Sequence, residues 1–138
     1  MVEKKQNKHV LLVEDHPDIV KMYRIIFETK LDAEIHVATN AHDAYILAKE
    51  IIPDLILLDL MIPNIEGERF DSVMRYGFEV LKKIKSNESL LMASIVILTN
   101  LETEADRKKA NEYDVDAYMV KSKILPGEVT RKLQDILR

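Results

Sequence analysis

The amino-acid sequence predicts an α/β fold in which a five-stranded parallel sheet carries helices on both faces. Three observations lead to this prediction. Short apolar runs without polar alternation, such as Leu55 to Leu58, are typical of parallel strands that are covered on both sides. Segments with apolar residues at spacings of three and four alternate with these runs. The length of 138 residues suits one domain with a single core.

The first half of the chain contains three predicted strands and two predicted helices. Residues 1–8 are polar and are expected to form a flexible tail. Pro17 suits the first turn of a helix, His16 the capping position before it, and Pro53 the end of the next helix. The predicted elements are, in order, a strand at Val10 to Val13, a helix from Pro17 to about Thr29, a strand around Ile35 and Val37, a helix from about Ala41 to Ile51, and a strand at Leu55 to Leu58.

The second half continues the alternation and ends with a helix. Thr103 and Asp106 resemble a capping box, and Pro126 suits a first helical turn. The predicted elements are a helix from Phe78 to Lys85, a strand at Ile95 to Leu98, a helix from Thr103 to Tyr113, a strand at Tyr118 to Val120, and a final helix from Pro126. This order favours right-handed crossovers and one functional edge of the sheet.

Composition and charge argue against several classes of function. The sequence has no cysteine, which excludes disulfides, thiol catalysis and cysteine-bound metals. Its net charge of −4, without a dense basic run, argues against direct nucleic-acid binding. No segment approaches transmembrane length, and the N-terminus lacks the apolar core of a signal peptide. We therefore expect a cytoplasmic protein without membrane contact.

Four of the predicted strands end at side chains that can take part in chemistry. They are, in chain order, Glu14 and Asp15, Asp59, Thr99, and Lys121. Singly, each has an ordinary explanation: acids favour a helix N-terminus, and Asp59 could cap a turn before a proline. In a parallel sheet, however, all five would meet at the carboxyl edge, where open α/β sheets bind ligands.

Such a group of side chains suits phosphoryl transfer. Crowded carboxylates repel one another, and Mg²⁺ is a hard cation that accepts oxygen ligands. The cation and Lys121 would neutralise an incoming phosphoryl group, while Thr99 could donate a hydrogen bond to it. A carboxylate in this setting can attack phosphorus. Catalysis would then depend on positioning and charge neutralisation.

Four motifs at these strand ends identify a family. They are Val13-Glu14-Asp15, Leu57-Leu58-Asp59-Leu60-Met61-Ile62-Pro63, Ile97-Leu98-Thr99 and Tyr118-Met119-Val120-Lys121. Over residues 9–138 the chain resembles the receiver domains of two-component response regulators, including the chemotaxis response regulator. The resemblance implies a flavodoxin-like, doubly wound (βα)5 sandwich of three layers.

The resemblance also implies a role for each residue of the site. Asp59 would be the phosphoacceptor, with Thr99 and Lys121 beside it. Mg²⁺, with Mn²⁺ as an alternative, would bind through Glu14, Asp15, Asp59 and the backbone carbonyl of Met61. Thr99 and Tyr118 would form the switch pair.

The expected function is that of a signalling switch that catalyses only its own phosphorylation and dephosphorylation. Its expected partners are a sensor histidine kinase or phosphotransfer protein, and a downstream protein target or output domain. We expect a monomer or a phosphorylation-dependent dimer. Two alternatives remain open: a receiver-like interaction module that is never phosphorylated, and an aspartate-nucleophile phosphatase of the haloacid dehalogenase type. The phosphatase class has a second aspartate two residues after the nucleophile, where this chain has Met61.

Three features depart from the family pattern. Ser122 replaces the proline that usually follows the lysine, so the loop after Lys121 is expected to differ. Asp114 replaces a glycine, although aspartate tolerates the left-handed conformation. An insertion at about residues 68–77 precedes the third helix or extends it, and helical spacing favours a partly helical segment.

Overall fold

The computed structural model describes residues 7–67 and 74–138, and their five strands form one parallel sheet. The strand order is β2-β1-β3-β4-β5. The strands are β1 (Lys8–Val13), β2 (Ala33–Ala38), β3 (Leu55–Leu58), β4 (Ser94–Thr99) and β5 (Ala117–Val120). All four pairings are parallel, so the predicted doubly wound α/β fold is confirmed. Lys8 pairs with Ala33, so β1 includes the last residue of the predicted tail, and residues 1–6 lie outside the described ranges.

Within the described ranges, five α-helices connect and follow the strands. They are α1 (Pro17–Lys30), α2 (Ala41–Ile51), α3 (Gly77–Lys85), α4 (Glu104–Asn111) and α5 (Pro126–Leu137). The fourth helix ends earlier than predicted because its last turn tightens: the N–H groups of Tyr113 and Asp114 bond to carbonyls three residues back. No helix within the described ranges is long and apolar enough to cross a membrane.

The sheet separates two apolar layers. On one face α1 and α5 pack through residues such as Phe27 and Leu133, and on the other α2, α3 and α4 pack through residues such as Ala44 and Leu81. Residues Leu55–Leu58 are at most 1% exposed, because helices cover both sides of β3. This burial explains the absence of polar alternation in the central strand.

Two residues were predicted to cap helices, and one of these predictions is confirmed. Thr103 caps α4 as predicted: its hydroxyl accepts a hydrogen bond from the Asp106 N–H and donates one to the Asp106 carboxylate. His16 occupies the capping position of α1, but its side chain makes no capping hydrogen bond. Oε2 of Glu14 accepts hydrogen bonds from the N–H groups of Asp15 and His16 instead. An acid of the candidate site thus organises the start of α1.

Two of the departures from the family pattern have local structural explanations. Asp114 has a φ of 60°, the left-handed conformation for which glycine is usual. There is no cis peptide bond in the described residues, so the bond before Ser122 is trans. The Ser122 N–H donates to Oδ1 of Asn100 at 3.2 Å, a bond that a proline could not form.

Gly77 marks the end of the predicted insertion. Residues 68–73 lie outside the described ranges, and the predicted helical character of that segment stays a prediction. Gly77 is the first residue of α3, and a Cβ atom there would lie 2.4 Å from the Leu60 Cα and 2.5 Å from the Asp59 carbonyl oxygen. Its N–H also donates to the Leu60 carbonyl at 3.1 Å. Only glycine allows α3 to lie this close to the backbone of the candidate site.

Candidate functional site

Parallel pairing of β1 with β3 brings three carboxylates together. Val13 is the register partner of Leu58, so the residues that follow them, Glu14 and Asp59, meet at the carboxyl edge. The Asp59 N–H continues the ladder by donating to the Val13 carbonyl at 3.0 Å. One ligand atom from each of Glu14, Asp15 and Asp59 can be chosen so that all lie within 4.8 Å of one another. They line an open cavity of about 370 Å³ with Met61 and Lys121.

Lys121 forms ion pairs with two of the acids. Its Nζ donates to Oδ2 of Asp59 at 2.7 Å and also to Oε1 of Glu14. The side chains are 14% exposed for Lys121, 3% for Glu14 and 6% for Asp59, so all three charges are largely removed from water. One ammonium group therefore faces two buried carboxylates, and an additional cation would offset the remaining negative charge.

Burial and charge change the acid–base properties of this cluster. Burial of Glu14, with the nearby charge of Asp59, raises the pKa of Glu14 to about 7 despite the ion pair with Lys121. Burial alone would lower the pKa of Lys121, but the two carboxylates outweigh that effect and raise the pKa above its ordinary value. The ammonium group accordingly stays charged at neutral pH.

Both oxygens of Asp59 are oriented by donors. Oδ1 accepts a hydrogen bond from the Met61 N–H at 2.9 Å, and Oδ2 accepts one from Lys121. The loop after β3 therefore fixes the carboxylate on one side, and Lys121, the residue after β5, supplies the cation on the other. A carboxylate held in this way, at the wall of an open cavity, is suited to act as an oriented nucleophile.

The donor set fits a hard divalent cation. Three carboxylates offer oxygen ligands of the kind that Mg²⁺ prefers. Glu14 already accepts bonds from Lys121 and two backbone N–H groups. By contrast, no hydrogen bond or ion pair within the described ranges engages the half-buried Asp15 carboxylate. Asp15 is thus the acid that is most available to a metal ion.

The two predicted switch residues meet at a third residue that sequence reasoning missed. Thr99, at the end of β4, is fully buried, and its Oγ1 accepts a hydrogen bond from the Leu101 N–H at 3.4 Å. The Tyr118 hydroxyl donates to the Leu101 carbonyl at 2.6 Å. Burial and the nearby Asp106 carboxylate raise the pKa of Tyr118 to about 12. Thr99 does not itself line the cavity, whereas Asn100 does.

Sequence reasoning missed Asn100, Leu101 and Arg75, and it did so for different reasons. Asn100 directly follows Thr99, so its position after a strand was a usable signal. Leu101 acts through its backbone, and its side-chain type gives no indication of that contact. Arg75, just before α3, was also missed: its guanidinium donates to the buried Asp106 carboxylate at 2.6 Å, which joins the end of the insertion to α4.

Comparison with known protein families and curated sequences gives a consistent result. The model of the response regulator receiver domain matches residues 10–133. The alkaline phosphatase synthesis transcriptional regulatory protein PhoP of Bacillus subtilis (strain 168) is 31% identical over 96% of this chain and 49% of its own length. The transcriptional regulatory protein SrrA of Staphylococcus aureus (strain NCTC 8325 / PS 47) is 30% identical over 96% of this chain and 48% of its own. The chain thus spans about half the length of these relatives.

Solved structures share the fold over nearly the whole chain. A CheY-like response regulator receiver domain protein from Methanospirillum hungatei JF-1 has a TM-score of 0.80 and 20% identity, covering 96% of this chain and 94% of its own. A two-component response regulator of the LuxR family from Aurantimonas sp. SI85-9A1 has a TM-score of 0.76 and 28% identity, covering 96% and 86%. With the match to residues 10–133, these findings show that the chain belongs to the receiver domains of two-component response regulators.

Proposed function

We propose that this receiver domain is a phosphorylation-operated switch in which Asp59 accepts a phosphoryl group from a sensor histidine kinase or phosphotransfer protein. One observation carries the proposal: the Asp59 carboxylate is oriented by the Met61 N–H and by Lys121 inside a cavity that also contains Glu14 and Asp15. This combination of an oriented nucleophile, a fixed cation and additional acids suits phosphoryl transfer.

The proposed reaction is an in-line transfer to the carboxylate. An oxygen of Asp59 forms a bond to phosphorus while the bond between phosphorus and the donor's leaving atom breaks. Because the negative charge moves to the phosphoryl group, Lys121 exchanges its contact with the carboxylate for one with a phosphoryl oxygen. Mg²⁺, or Mn²⁺ in its place, would be held by Glu14, Asp15, Asp59 and the Met61 carbonyl and would supply further charge neutralisation.

The proposed switch passes through Leu101. A phosphoryl oxygen near Asp59 would compete for the Thr99 hydroxyl, whose present contact is a long bond of 3.4 Å from the Leu101 N–H. Loss of that contact would free the residue whose carbonyl holds the Tyr118 hydroxyl. The Tyr118 ring could then enter the space that Thr99 vacates, which changes the surface formed by α4 and β5. The proposed recipient of this change is a downstream protein target or an output domain.

Treatment with acetyl phosphate and Mg²⁺ tests the proposal directly. We expect the intact mass to increase by one phosphoryl group that base and hydroxylamine remove. Asp59→Asn should abolish the increase, because the amide is a poor nucleophile. Asp135→Asn, at an exposed position on α5, is the matched control and should label normally. Full labelling of Asp59→Asn would refute the assignment, and failure of the wild-type chain to label would favour the non-phosphorylated interaction module.

A further inference from the structure

A second group of potential metal ligands lies at the opposite edge of the sheet, away from the phosphorylation site. It consists of His9 near the start of β1 and Glu34 and His36 on β2, and we refer to it as the histidine edge. His9 is the register partner of Glu34, and residues 34 and 36 project from the same face of β2 because side chains alternate along a strand. Register thus brings together two imidazoles and one carboxylate that are distant in sequence.

The three side chains are close enough to share one ion. His9 Nδ1 lies 3.1 Å from His36 Nε2, and it lies 3.6 Å from Oε2 of Glu34. His36 Nε2 lies 3.8 Å from Oε1 of Glu34. Two ligands about 2.0–2.1 Å from Zn²⁺ at a tetrahedral angle are roughly 3.3–3.4 Å apart, so these separations need only small adjustments.

Hydrogen bonds fix the His9 backbone, and burial restricts the His36 ring, before any ion binds. The ring centroids are 5.3 Å apart and the planes are tilted by 32°. Reciprocal bonds of 2.8 Å connect His9 to Asp54, from the His9 N–H to the Asp54 carboxylate and from the Asp54 N–H to the His9 carbonyl. His36 is only 19% exposed, which limits its rotamers. Little ordering of these groups would be needed on binding.

We propose that His9, Glu34 and His36 form a binding site for a divalent transition-metal ion, with Zn²⁺ as the best-suited ion. Imidazole nitrogen suits Zn²⁺, Cu²⁺ and Ni²⁺, whereas Mg²⁺ requires oxygen ligands. Three protein ligands leave one position for water, and the exposed Glu34, at 57%, keeps the site open to exchange with solvent. This site is chemically distinct from the all-carboxylate cluster at Glu14, Asp15 and Asp59.

Besides these small adjustments, binding requires a change of tautomer. The 3.1 Å contact between the imidazoles is an N–H···N hydrogen bond in which one ring carries a proton on the shared side. Moving that proton to the other nitrogen of the same ring leaves both His9 Nδ1 and His36 Nε2 free to coordinate. Both ligands then remain neutral imidazoles, and coordination replaces one hydrogen bond with two metal–nitrogen bonds.

Zn²⁺ titration of the untagged, metal-free chain in excess Mg²⁺, monitored by competition with a chromophoric chelator, tests this proposal. We expect one Zn²⁺ per chain, with the affinity reduced at least roughly tenfold by His9→Gln and by His36→Gln. His42→Gln is the matched control because this exposed histidine on α2 lies outside the cluster, and it should bind normally. The excess Mg²⁺ competes with Zn²⁺ for the carboxylate cluster, so the loss of affinity in the two histidine variants identifies the ion bound at the histidine edge.

Nitrogen NMR of the wild-type imidazoles provides a second measurement that does not depend on the folding of a variant. Zn²⁺ should shift the signals of His9 Nδ1 and His36 Nε2 while leaving His42 unchanged. Unshifted ring signals at saturating Zn²⁺ would overturn the site. So would Zn²⁺ affinity that is the same in wild type and in both folded histidine variants.

Discussion

Strand β1 has a carboxylate cluster at one end and an imidazole pair at the other, and the two ends differ in how their charges are balanced. At the carboxyl end, the Glu14 and Asp59 side chains are 3% and 6% exposed, and a single ammonium group pairs with both. At the amino end, the His9 and His36 side chains are 36% and 19% exposed and need no counter-charge when neutral. An additional cation would therefore stabilise the buried carboxylates at one end, whereas the other end offers two imidazole lone pairs and one exposed carboxylate, Glu34.

Because of this difference, we expect the two ends of β1 to prefer different metal ions. Buried carboxylates gain from a hard cation because the ion relieves their mutual repulsion. Imidazoles gain from a softer ion because the bond to nitrogen is partly covalent in character. We therefore expect substitutions at one end of β1 to leave ion binding at the other end largely unchanged, provided that the chain folds.

The largest effect is expected from Gly77→Ala, which affects the carboxyl end through the backbone. The added methyl group would lie 2.4 Å from the Leu60 Cα, so α3 or the segment after β3 has to shift. Overpacking of this kind costs about 3 kcal/mol of unfolding free energy. Denaturant unfolding would measure the loss, and acetyl phosphate labelling of Asp59 should slow in the folded fraction.

Gly127→Ala is the control for this substitution. Nothing lies within 4 Å of a Cβ at Gly127, in the first turn of α5. Alanine there should raise the free energy of unfolding by about 0.5 kcal/mol, because it restricts the unfolded chain. Equal stability of the two variants would show that the close approach at Gly77 is not a constraint. Zn²⁺ binding at the histidine edge should be normal in both folded variants.

A smaller effect is expected from removing individual acids at the carboxyl end. Asp15→Ala should weaken Mg²⁺ binding about tenfold, and more than Glu14→Ala does. The reason is that Glu14 already accepts bonds from Lys121 and two backbone N–H groups, whereas the Asp15 carboxylate is more available. Metal titration of both variants measures the difference. Equal losses would contradict this ranking, and an accompanying loss of Zn²⁺ binding would contradict the independence of the two ends.

The smallest effect is a change in the environment of one ring. Adding beryllium fluoride with Mg²⁺, as a phosphoryl mimic, should shift the ring NMR signals of Tyr118 as the Thr99–Leu101 contact is lost. Tyr45, on α2, is the control ring and should shift less. Unchanged Tyr118 signals, with Asp59 demonstrably occupied, would mean that the signal leaves the site by another route.

The raised pKa of Tyr118, about 12, makes the stability of the folded chain depend on pH in the alkaline range. The unfolded phenol titrates near pH 10. Because the folded chain favours the neutral phenol, its contribution to stability is complete below about pH 10 and decreases as pH rises toward 12. Tyr118→Phe cannot ionise and should remove this part of the alkaline loss of stability.

The sequence by itself determined the layers of the fold and the acids of the candidate site. Apolar runs such as Leu55–Leu58 are continuous because helices cover both faces, and that burial is directly visible in residue type. Asp59 and Lys121 follow such runs immediately, so their meeting at one edge required only that the strands be parallel. Local patterns therefore sufficed for these two residues, although Asn100, which also follows a strand, was missed.

Only the tertiary structure decided the contacts that depend on register or on the backbone. His9 and Glu34 meet because β1 and β2 pair in one particular register, and nothing in their sequence positions indicates it. Leu101 connects Thr99 to Tyr118 through peptide groups that every residue type possesses. Gly77 is needed because α3 approaches the Asp59–Leu60 backbone. Sequence patterns indicate which side chains are buried. These contacts depend instead on the distances between backbone segments, which are set only when the sheet and helices pack together.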